Sequence, residues 1–191
     1  MGAREVSITA TLTALAIALA LFPLQYPFPP LSFLKFDIAE LPVMIVSVML
    51  GPVYAFISSI ILGLAYVSRD PIGAIFKTLA ILSMALPISS AVYIMPKIKN
   101  KRLGIYMLAI FSVIIRSACM TLADYVLIPI IYTPGIPLET VASWFGMNLG
   151  VFLWFIFLFN ILQGLINIIP GVVIVLSLPK EWAPEWLRSS E

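Results

Sequence analysis

The chain has 191 residues, of which 62% are hydrophobic and only 10% are charged, and its mean hydropathy is +1.10. Soluble domains contain about 45–50% apolar and about 25% charged residues, so this composition excludes an ordinary soluble domain and indicates a protein embedded in lipid. The net charge is +2, and no patch is basic enough to bind nucleic acid. With no histidine and a single cysteine, Cys119, the sequence predicts neither a metal site nor an internal disulfide.

The first predicted transmembrane helix covers Val6 to Phe22, and its length lies within the about 17–25 residues that a spanning helix needs. A cleaved signal peptide is the alternative interpretation. However, the leader carries only Arg4 offset by Glu5, and Phe22-Pro23-Leu24-Gln25 lacks the small residues of a cleavage site. We therefore expect a first helix that is retained.

Small residues recur along this helix at intervals of four. Such residues let a second helix approach closely in lipid, where packing replaces the hydrophobic effect. Ordinary packing within the bundle and a docking face for a partner are both compatible with the pattern. One series is Ala10, Ala14 and Ala18, and the other is Ala16 and Ala20.

The prolines that follow, at positions 23, 27, 29 and 30, predict an irregular loop, which carries Lys35, Asp37 and Glu40. The next 28 residues, Leu41 to Ser68, are uncharged. As one kinked helix this run would be about 42 Å long against about 30 Å of hydrocarbon, so it would have to tilt steeply. Gly51-Pro52 in its middle favours two shorter helices joined by a turn.

Further spans are predicted from about Pro71 to Met95, from Leu103 to Ile131, and within Met147 to Leu178. We therefore predict an all-α integral membrane protein in which six transmembrane helices form one bundle. The chain, residues 1–191, is predicted to be a single transmembrane domain.

The basic loop from Lys97 to Arg102 predicts the orientation, because short cytoplasmic loops carry an excess of lysine and arginine. With six helices, both termini and the tail 179–191 are cytoplasmic, and only Lys35 and Arg69 lie in outer loops. The same rule does not count the helices, since merging Leu41–Ser68 into one helix gives an equal excess with the N-terminus outside. The basic residues on the inner side are Arg4, Lys97, Lys99, Lys101, Arg102, Lys180 and Arg188.

Three ionisable side chains lie within predicted spans, where each costs about 2.5–3.5 kcal/mol on insertion scales. Lys77 and Asp124 lie at similar depth near the outer face, so they either pair with each other or face a ligand. Arg116 lies near the middle of its helix, and its pattern is compatible with contact to a partner subunit or to a backbone carbonyl.

Two stripes of polar residues follow one face of the last two long helices. Asn160, Gln163 and Asn167 are spaced i, i+3 and i+7, and Ser117, Thr121 and Asp124 are spaced i, i+4 and i+7. Such side chains either join helices by hydrogen bonds or read the edge of a heterocycle. Their matched depth, under the proline-rich loop, is compatible with a pocket that opens outward.

Sequence motifs for ATP hydrolysis are missing. The segment Gly73-Ala-Ile-Phe-Lys77-Thr78 has no glycine directly before its lysine, so it does not form a phosphate-binding loop. We predict that the chain is not an enzyme and has no catalytic residues. Uphill transport would then take its energy from a partner.

The segment from Phe33 to Pro42, FLKFDIAELP, followed by Leu50-Gly51-Pro52, resembles the riboflavin-specific substrate-binding subunit (S component) of energy-coupling factor (ECF) transporters. The similarity continues through Leu122-Ala-Asp124-Tyr125 and Leu127-Ile-Pro129 to Phe159-Asn160-Ile-Leu-Gln163-Gly164, and so covers most of the chain.

The resemblance implies a six-helix, substrate-binding subunit of the prokaryotic cell membrane that captures riboflavin from outside. It implies no cofactor of its own and docking on a transmembrane coupling protein, the T component, with two ATPase subunits that hydrolyse ATP. Ala14 and Ala18, with Ala10, would form the docking surface. Asp124, Asn160 and Gln163 would hydrogen-bond the isoalloxazine ring, and the loop from Leu34 to Asp37 would help to close the site.

The chain departs from the family pattern at two positions. Asp124 stands where asparagine is typical, which leaves an acceptor only, and Gln163 stands where lysine is typical, which removes a positive charge. Lys77 restores the balance of charge, because a lysine stands here in place of the neutral residue that is typical of the family. An S component for FMN, for another flavin or for another vitamin, and a structural membrane protein without a transport role, are the alternatives.

The residue patterns and the resemblance together give the candidate site. The candidate substrate-binding residues are Leu34, Lys35, Phe36, Asp37, Glu40, Tyr54, Lys77, Thr121, Asp124, Tyr125, Asn160, Gln163 and Asn167. Trp144, Phe145 and Trp154 are further candidate aromatic walls, or members of an interfacial belt.

Overall fold

The computed structural model describes residues 2–22 and 25–188, and most of them are helical. Within these ranges six helices have ten or more residues. They are α1 (Ala3–Leu21), α2 (Leu41–Leu50), α3 (Pro52–Val67), α4 (Pro71–Ser89), α6 (Lys101–Leu127) and α8 (Leu149–Leu176). The shorter helical segments are α5 (Ala91–Ile94), a 3₁₀ turn (Met95–Lys97), a π-helical turn (Ile128–Tyr132), α7 (Leu138–Trp144) and α9 (Glu185–Arg188).

Four helical stretches of the described chain are long and apolar enough to cross a membrane: Ala3–Leu21, Pro71–Lys97, Lys101–Tyr132 and Leu149–Leu176. Helices α2 and α3 are shorter, at 10 and 16 residues. A multi-span, mainly helical membrane protein is therefore confirmed. Six transmembrane crossings and cytoplasmic termini stay predictions.

The predicted break at Gly51-Pro52 is confirmed. Gly51 ends α2 with φ of +90°, a conformation that strains residues with a side chain, and Pro52 begins α3. Tyr66 at the far end of α3 lies within 3.4 Å of Asp37, which precedes α2. The two helices are therefore antiparallel.

The sequence predicted that the proline-rich loop is irregular. This prediction is wrong, because the loop contains an antiparallel hairpin. Its strands are β1 (Tyr26–Phe28) and β2 (Leu31–Phe36), and Tyr26 pairs with Phe36. Prolines prevent a helix in this segment, and pairing of the two strands gives its backbone hydrogen bonds instead. Pro23 and Leu24, part of the same prediction, lie outside the described residues.

Both terminal segments meet at one end of the bundle. The Arg4 guanidinium donates to the carbonyl of Glu181 at 2.8 Å, and Lys101 Nζ donates to the carbonyl of Trp186 at 2.7 Å. The Trp186 ring is buried there, and its indole N–H donates to the Val48 carbonyl at 3.1 Å. We call this the basic end, because the loop 97–102 lies there; residues 189–191 of the predicted tail lie outside the described residues.

The opposite end, where Asp37, Tyr66 and the start of α4 meet, is called the cavity end. Between the two ends the helices pack around a core of small and branched side chains such as Ala55, Leu62 and Val172. A second cluster is rich in aromatic residues and joins Phe28 of the hairpin to Phe152 and Phe159 of α8. Many large apolar side chains on the outside of the bundle are exposed, as expected where lipid is the solvent.

Candidate functional site

A cavity of about 650 Å³ opens at the cavity end, between the hairpin and the ends of α3, α4, α6 and α8. Eight aromatic side chains line it, and they come from segments far apart in the sequence. The aromatic lining residues are Phe33, Tyr66, Phe76, Tyr132, Trp144, Phe145, Phe152 and Phe159. The volume lies within the about 300–1,000 Å³ that is usual for small-molecule sites.

Aromatic contacts fix the hairpin over this cavity. Phe33 on β2 lies 5.6 Å from Phe145, in the segment after α7, and 6.3 Å from Phe152 on α8, measured between ring centroids. Phe36 lies 4.9 Å from Phe159. Such ring pairs stabilise beyond the apolar area that they bury, so the hairpin and the 145–159 segment form one aromatic roof.

The hairpin leads into residues 37–40, where non-helical backbone enters the bundle and needs polar partners. The Asp37 N–H donates to Gln163 Oε1 at 3.2 Å, and Gln163 Nε2 donates back to the Asp37 carbonyl at 2.9 Å. Asn167 Nδ2 donates to the same carbonyl at 3.0 Å. Irregular backbone at membrane depth is tolerated only where protein groups satisfy it, and here the amide stripe of α8 does so.

A charged cluster lies beside this backbone. Lys77 Nζ is 2.8 Å from Asp37 Oδ2 and 2.5 Å from Glu40 Oε1. Arg116 pairs with Glu40 through Nη1, and its Nη2 donates to Glu40 Oε1 at 3.2 Å. Two acidic and two basic side chains therefore balance one another in a mostly buried cluster beside the cavity, where an unpaired charge is costly. We call the cavity surface formed by Asp37, Lys77, Gln163 and Arg116 the floor.

Two polar groups of the cavity stand apart from the charged cluster. Asp124 is only 5% exposed, and within the described part of the chain its carboxylate has no hydrogen-bond or ion-pair partner. Asn160, 3% exposed, uses one N–H on the Ile156 carbonyl at 3.0 Å, and its amide oxygen has no partner among the described residues. Both side chains are therefore available to a molecule in the cavity.

Many of the predicted site residues line the cavity together. They are Leu34, Lys35, Asp37, Lys77, Asp124, Asn160 and Gln163. The candidate walls Trp144 and Phe145 line it as well, whereas Trp154 is 60% exposed and stacks on Phe157.

The remaining predicted residues do not line the cavity. Phe36, Glu40 and Asn167 lie behind it and support the roof or the loop 37–40. Thr121 donates to the Ser117 carbonyl on its own helix at 2.8 Å. Tyr125 is 47% exposed.

Tyr54 is misplaced in the predicted site. It lies in the first turn of α3, three residues after Gly51, whereas Tyr66 at the other end of α3 lines the cavity. The aromatic wall that the sequence assigned to Tyr54 is therefore supplied by Tyr66, one helix length away. Residue type alone did not distinguish these two tyrosines.

Of the two alternatives that the sequence left open for Lys77 and Asp124, the ion pair between them does not form, because Lys77 pairs with Asp37 and Glu40. Arg116, whose partner the sequence left open, binds Glu40 and approaches the Ala80 carbonyl at 3.4 Å. Its position in mid-helix signalled that it needs a polar partner, but the sequence suggested a partner subunit or a backbone carbonyl and missed the acid Glu40. Among the described residues, no group of acidic or cysteine side chains is arranged to hold a metal ion.

Comparisons with known proteins agree with this architecture. The sequence model of the family described as "ECF transporter, substrate-specific component" matches residues 4–176. The chain belongs to this family. A comparison with curated proteins gave no match.

A solved structure described as "Structure and mechanism of the S component of a bacterial ECF transporter" resembles this substrate-specific component in fold. Its TM-score is 0.71 at 21% sequence identity, over 90% of this chain and 92% of the other. The chain is thus an ECF substrate-specific component, a substrate-uptake subunit and not a member of an enzyme family. Such components work with a T component and ATPases in the membrane.

Proposed function

We propose that this substrate-specific component binds riboflavin in the cavity and captures it from outside the cell. The sequence resemblance of Phe33–Pro42 and of the Gly51-Pro52 turn to riboflavin-specific S components supports this substrate. Family membership supports a transport role, and it disfavours the alternative of a purely structural membrane protein.

The observation that carries the proposal is the pairing of an aromatic cavity with two unsatisfied polar side chains. The isoalloxazine ring of riboflavin is flat and largely apolar, with a polar rim that offers an N–H group and carbonyl oxygens. The aromatic walls suit the ring faces, while Asp124 can accept from the rim N–H and Asn160 can hydrogen-bond the rim. Gln163 already binds the Asp37 backbone, so its proposed role shifts from reading the ring to holding the floor.

The location of the basic loop and of the cavity at opposite ends of the bundle supports uptake from outside. The loop 97–102 and the terminal segments lie at the basic end, which the positive-inside rule places in the cytoplasm, and the cavity lies at the other end. Ala10, Ala14 and Ala18 are exposed along one side of α1, whereas Ala16 and Ala20 are buried. We propose that this exposed stripe contacts the T component and that two partner ATPases supply the energy. The component has no cofactor of its own in this proposal.

The test is a fluorescence-quenching titration of the purified protein with riboflavin and, separately, with FMN. We expect saturable quenching by riboflavin, and we expect Asn160→Ala to raise Kd by a factor equivalent to about 1–3 kcal/mol, because a buried rim group loses its partner. Asn100→Ala is the matched control, since Asn100 caps α6 at the basic end and leaves the cavity unchanged.

Absence of quenching by riboflavin would refute the substrate assignment, and saturation by FMN alone would move it to the phosphorylated flavin. Equal Kd values for Asn160→Ala and Asn100→Ala would show that the ligand lies elsewhere.

A further inference from the structure

We propose that Arg116 is a positioning residue of the ligand site: by pairing with Glu40 it leaves Lys77 available to hold Asp37 in the cavity floor. The binding assay for this inference rests on the proposed function, and a second measurement below does not need riboflavin.

The four charged side chains of the cluster form a continuous series of ion pairs. Glu40 is completely buried and receives hydrogen bonds from both Arg116 and Lys77. Lys77 in turn divides its ammonium between Glu40, at 2.5 Å, and Asp37, at 2.8 and 3.1 Å for the two carboxylate oxygens. Arg116 therefore affects Asp37 only through two intermediate side chains.

The burial of the two acids decides which one keeps Lys77 when Arg116 is removed. The Glu40 side chain is 0% exposed, whereas the Asp37 side chain is 6% exposed and borders the cavity. Leaving a fully buried carboxylate without a cation is costlier than leaving one that reaches cavity water. Lys77 then moves towards Glu40, and Asp37 loses its cation.

The release of Asp37 changes the cavity in two ways. Its carboxylate keeps the Ala39 N–H at 3.1 Å and Gln163 Nε2 at 3.4 Å, and it presents to the ligand a negative charge that Lys77 balances in the wild type. The contact from Tyr66 OH to Asp37 Oδ2, at 3.4 Å, is lost with it. Gln163 and Asn167 still hold the Asp37 backbone, so the bundle itself is retained.

The test compares Arg116→Met with the double variant Glu40→Gln/Arg116→Met. In the double variant the side chain at position 40 is neutral, so Asp37 is the remaining acidic partner of Lys77 in the cluster. Arg102→Met is the matched control, because Arg102 lies on the same helix but is exposed at the basic end. Two quantities are measured for each protein: the riboflavin Kd, and the hydrogen–deuterium exchange of residues 34–41.

We expect Arg116→Met to raise the riboflavin Kd about tenfold or more and to speed hydrogen–deuterium exchange in residues 34–41. A tenfold change in Kd corresponds to about 1.4 kcal/mol of binding free energy. The double variant is expected to return both quantities to within about threefold of wild type, or about 0.7 kcal/mol on the same scale. Arg102→Met is expected to match wild type in both. Rescue by the second, neutral substitution is not expected if Arg116 itself touches the ligand, and a loss of global stability alone would speed exchange throughout the bundle rather than in residues 34–41.

The inference is overturned if Arg116→Met matches wild type in both measurements, or if the double variant remains as impaired as the single one. If Arg116→Met does not fold, the double variant decides by itself: a folded protein that fails to hold residues 34–41 as wild type does also overturns it. If wild type fails to bind riboflavin, the proposed substrate is wrong, and the exchange comparison still decides the role of Arg116.

Discussion

Replacement of Gln163 by leucine tests whether the α8 amides exist to satisfy the backbone that enters the bundle. The Gln163 side chain is 126 residues from Asp37 in the sequence, and it makes both a donor and an acceptor contact with the Asp37 backbone. Leucine removes both contacts. The Asp37 carbonyl keeps Asn167 as a donor, but its N–H loses the acceptor that the structure gives it.

The expected magnitude follows from the group that is left without a partner. A buried donor without an acceptor costs about 1–3 kcal/mol, and we expect Gln163→Leu to destabilise the folded protein by this amount. Asn167→Leu is the matched comparison. It also removes one hydrogen bond to the Asp37 carbonyl, but Gln163 still serves that carbonyl, and the Asn167 Oδ1 that disappears is itself buried without a partner. We therefore expect Asn167→Leu to cost less than about 1 kcal/mol.

The assay is thermal unfolding in detergent, followed by the riboflavin Kd of each variant at a temperature where both are folded. Gln163→Leu is expected to unfold at the lower temperature and to bind more weakly, because the floor of the cavity is loosened. An equal or larger destabilisation by Asn167→Leu would refute the reasoning, since it would mean that the Asp37 carbonyl, and not its N–H, is the critical group.

Two further predictions concern helix contacts. Ala14→Trp is expected to leave riboflavin binding unchanged, because Ala14 is exposed on the outside of α1. The same variant is expected to abolish co-purification with co-expressed T component and ATPases. Ala16→Trp, at a fully buried position, is expected to unfold the protein instead. Loss of binding in Ala14→Trp would assign the stripe to internal packing. Gly63→Val is expected to lower thermal stability by about 1–3 kcal/mol, since an added Cβ would lie 1.9 Å from Thr78 Oγ1 on the adjacent helix. Gly150→Val, where the nearest atom is 3.4 Å away, is the control, and equal melting temperatures would contradict a close α3–α4 contact.

The sequence predicted the polar residues of the cavity better than its aromatic residues. Asp124, Asn160 and Lys77 were singled out because polar groups in apolar spans need a reason, and all three line the cavity. The aromatic roof of Phe33, Phe145 and Phe152 was predicted only in part, since aromatic residues are common in membrane helices and their positions do not reveal which ones meet.

The sequence by itself determined the lipid environment, the approximate helix bounds and the turn at Gly51-Pro52. These depend on hydropathy, length and local backbone preference, all of which act over a few neighbouring residues. The tertiary structure decided the pairings: Arg116 with Glu40 across 76 residues, and Gln163 with Asp37 across 126. Charge and hydrogen-bonding capacity say that a buried group must have a partner, but several acids and amides meet that need equally well along the chain. Only the packing of the helices brings one of them within reach.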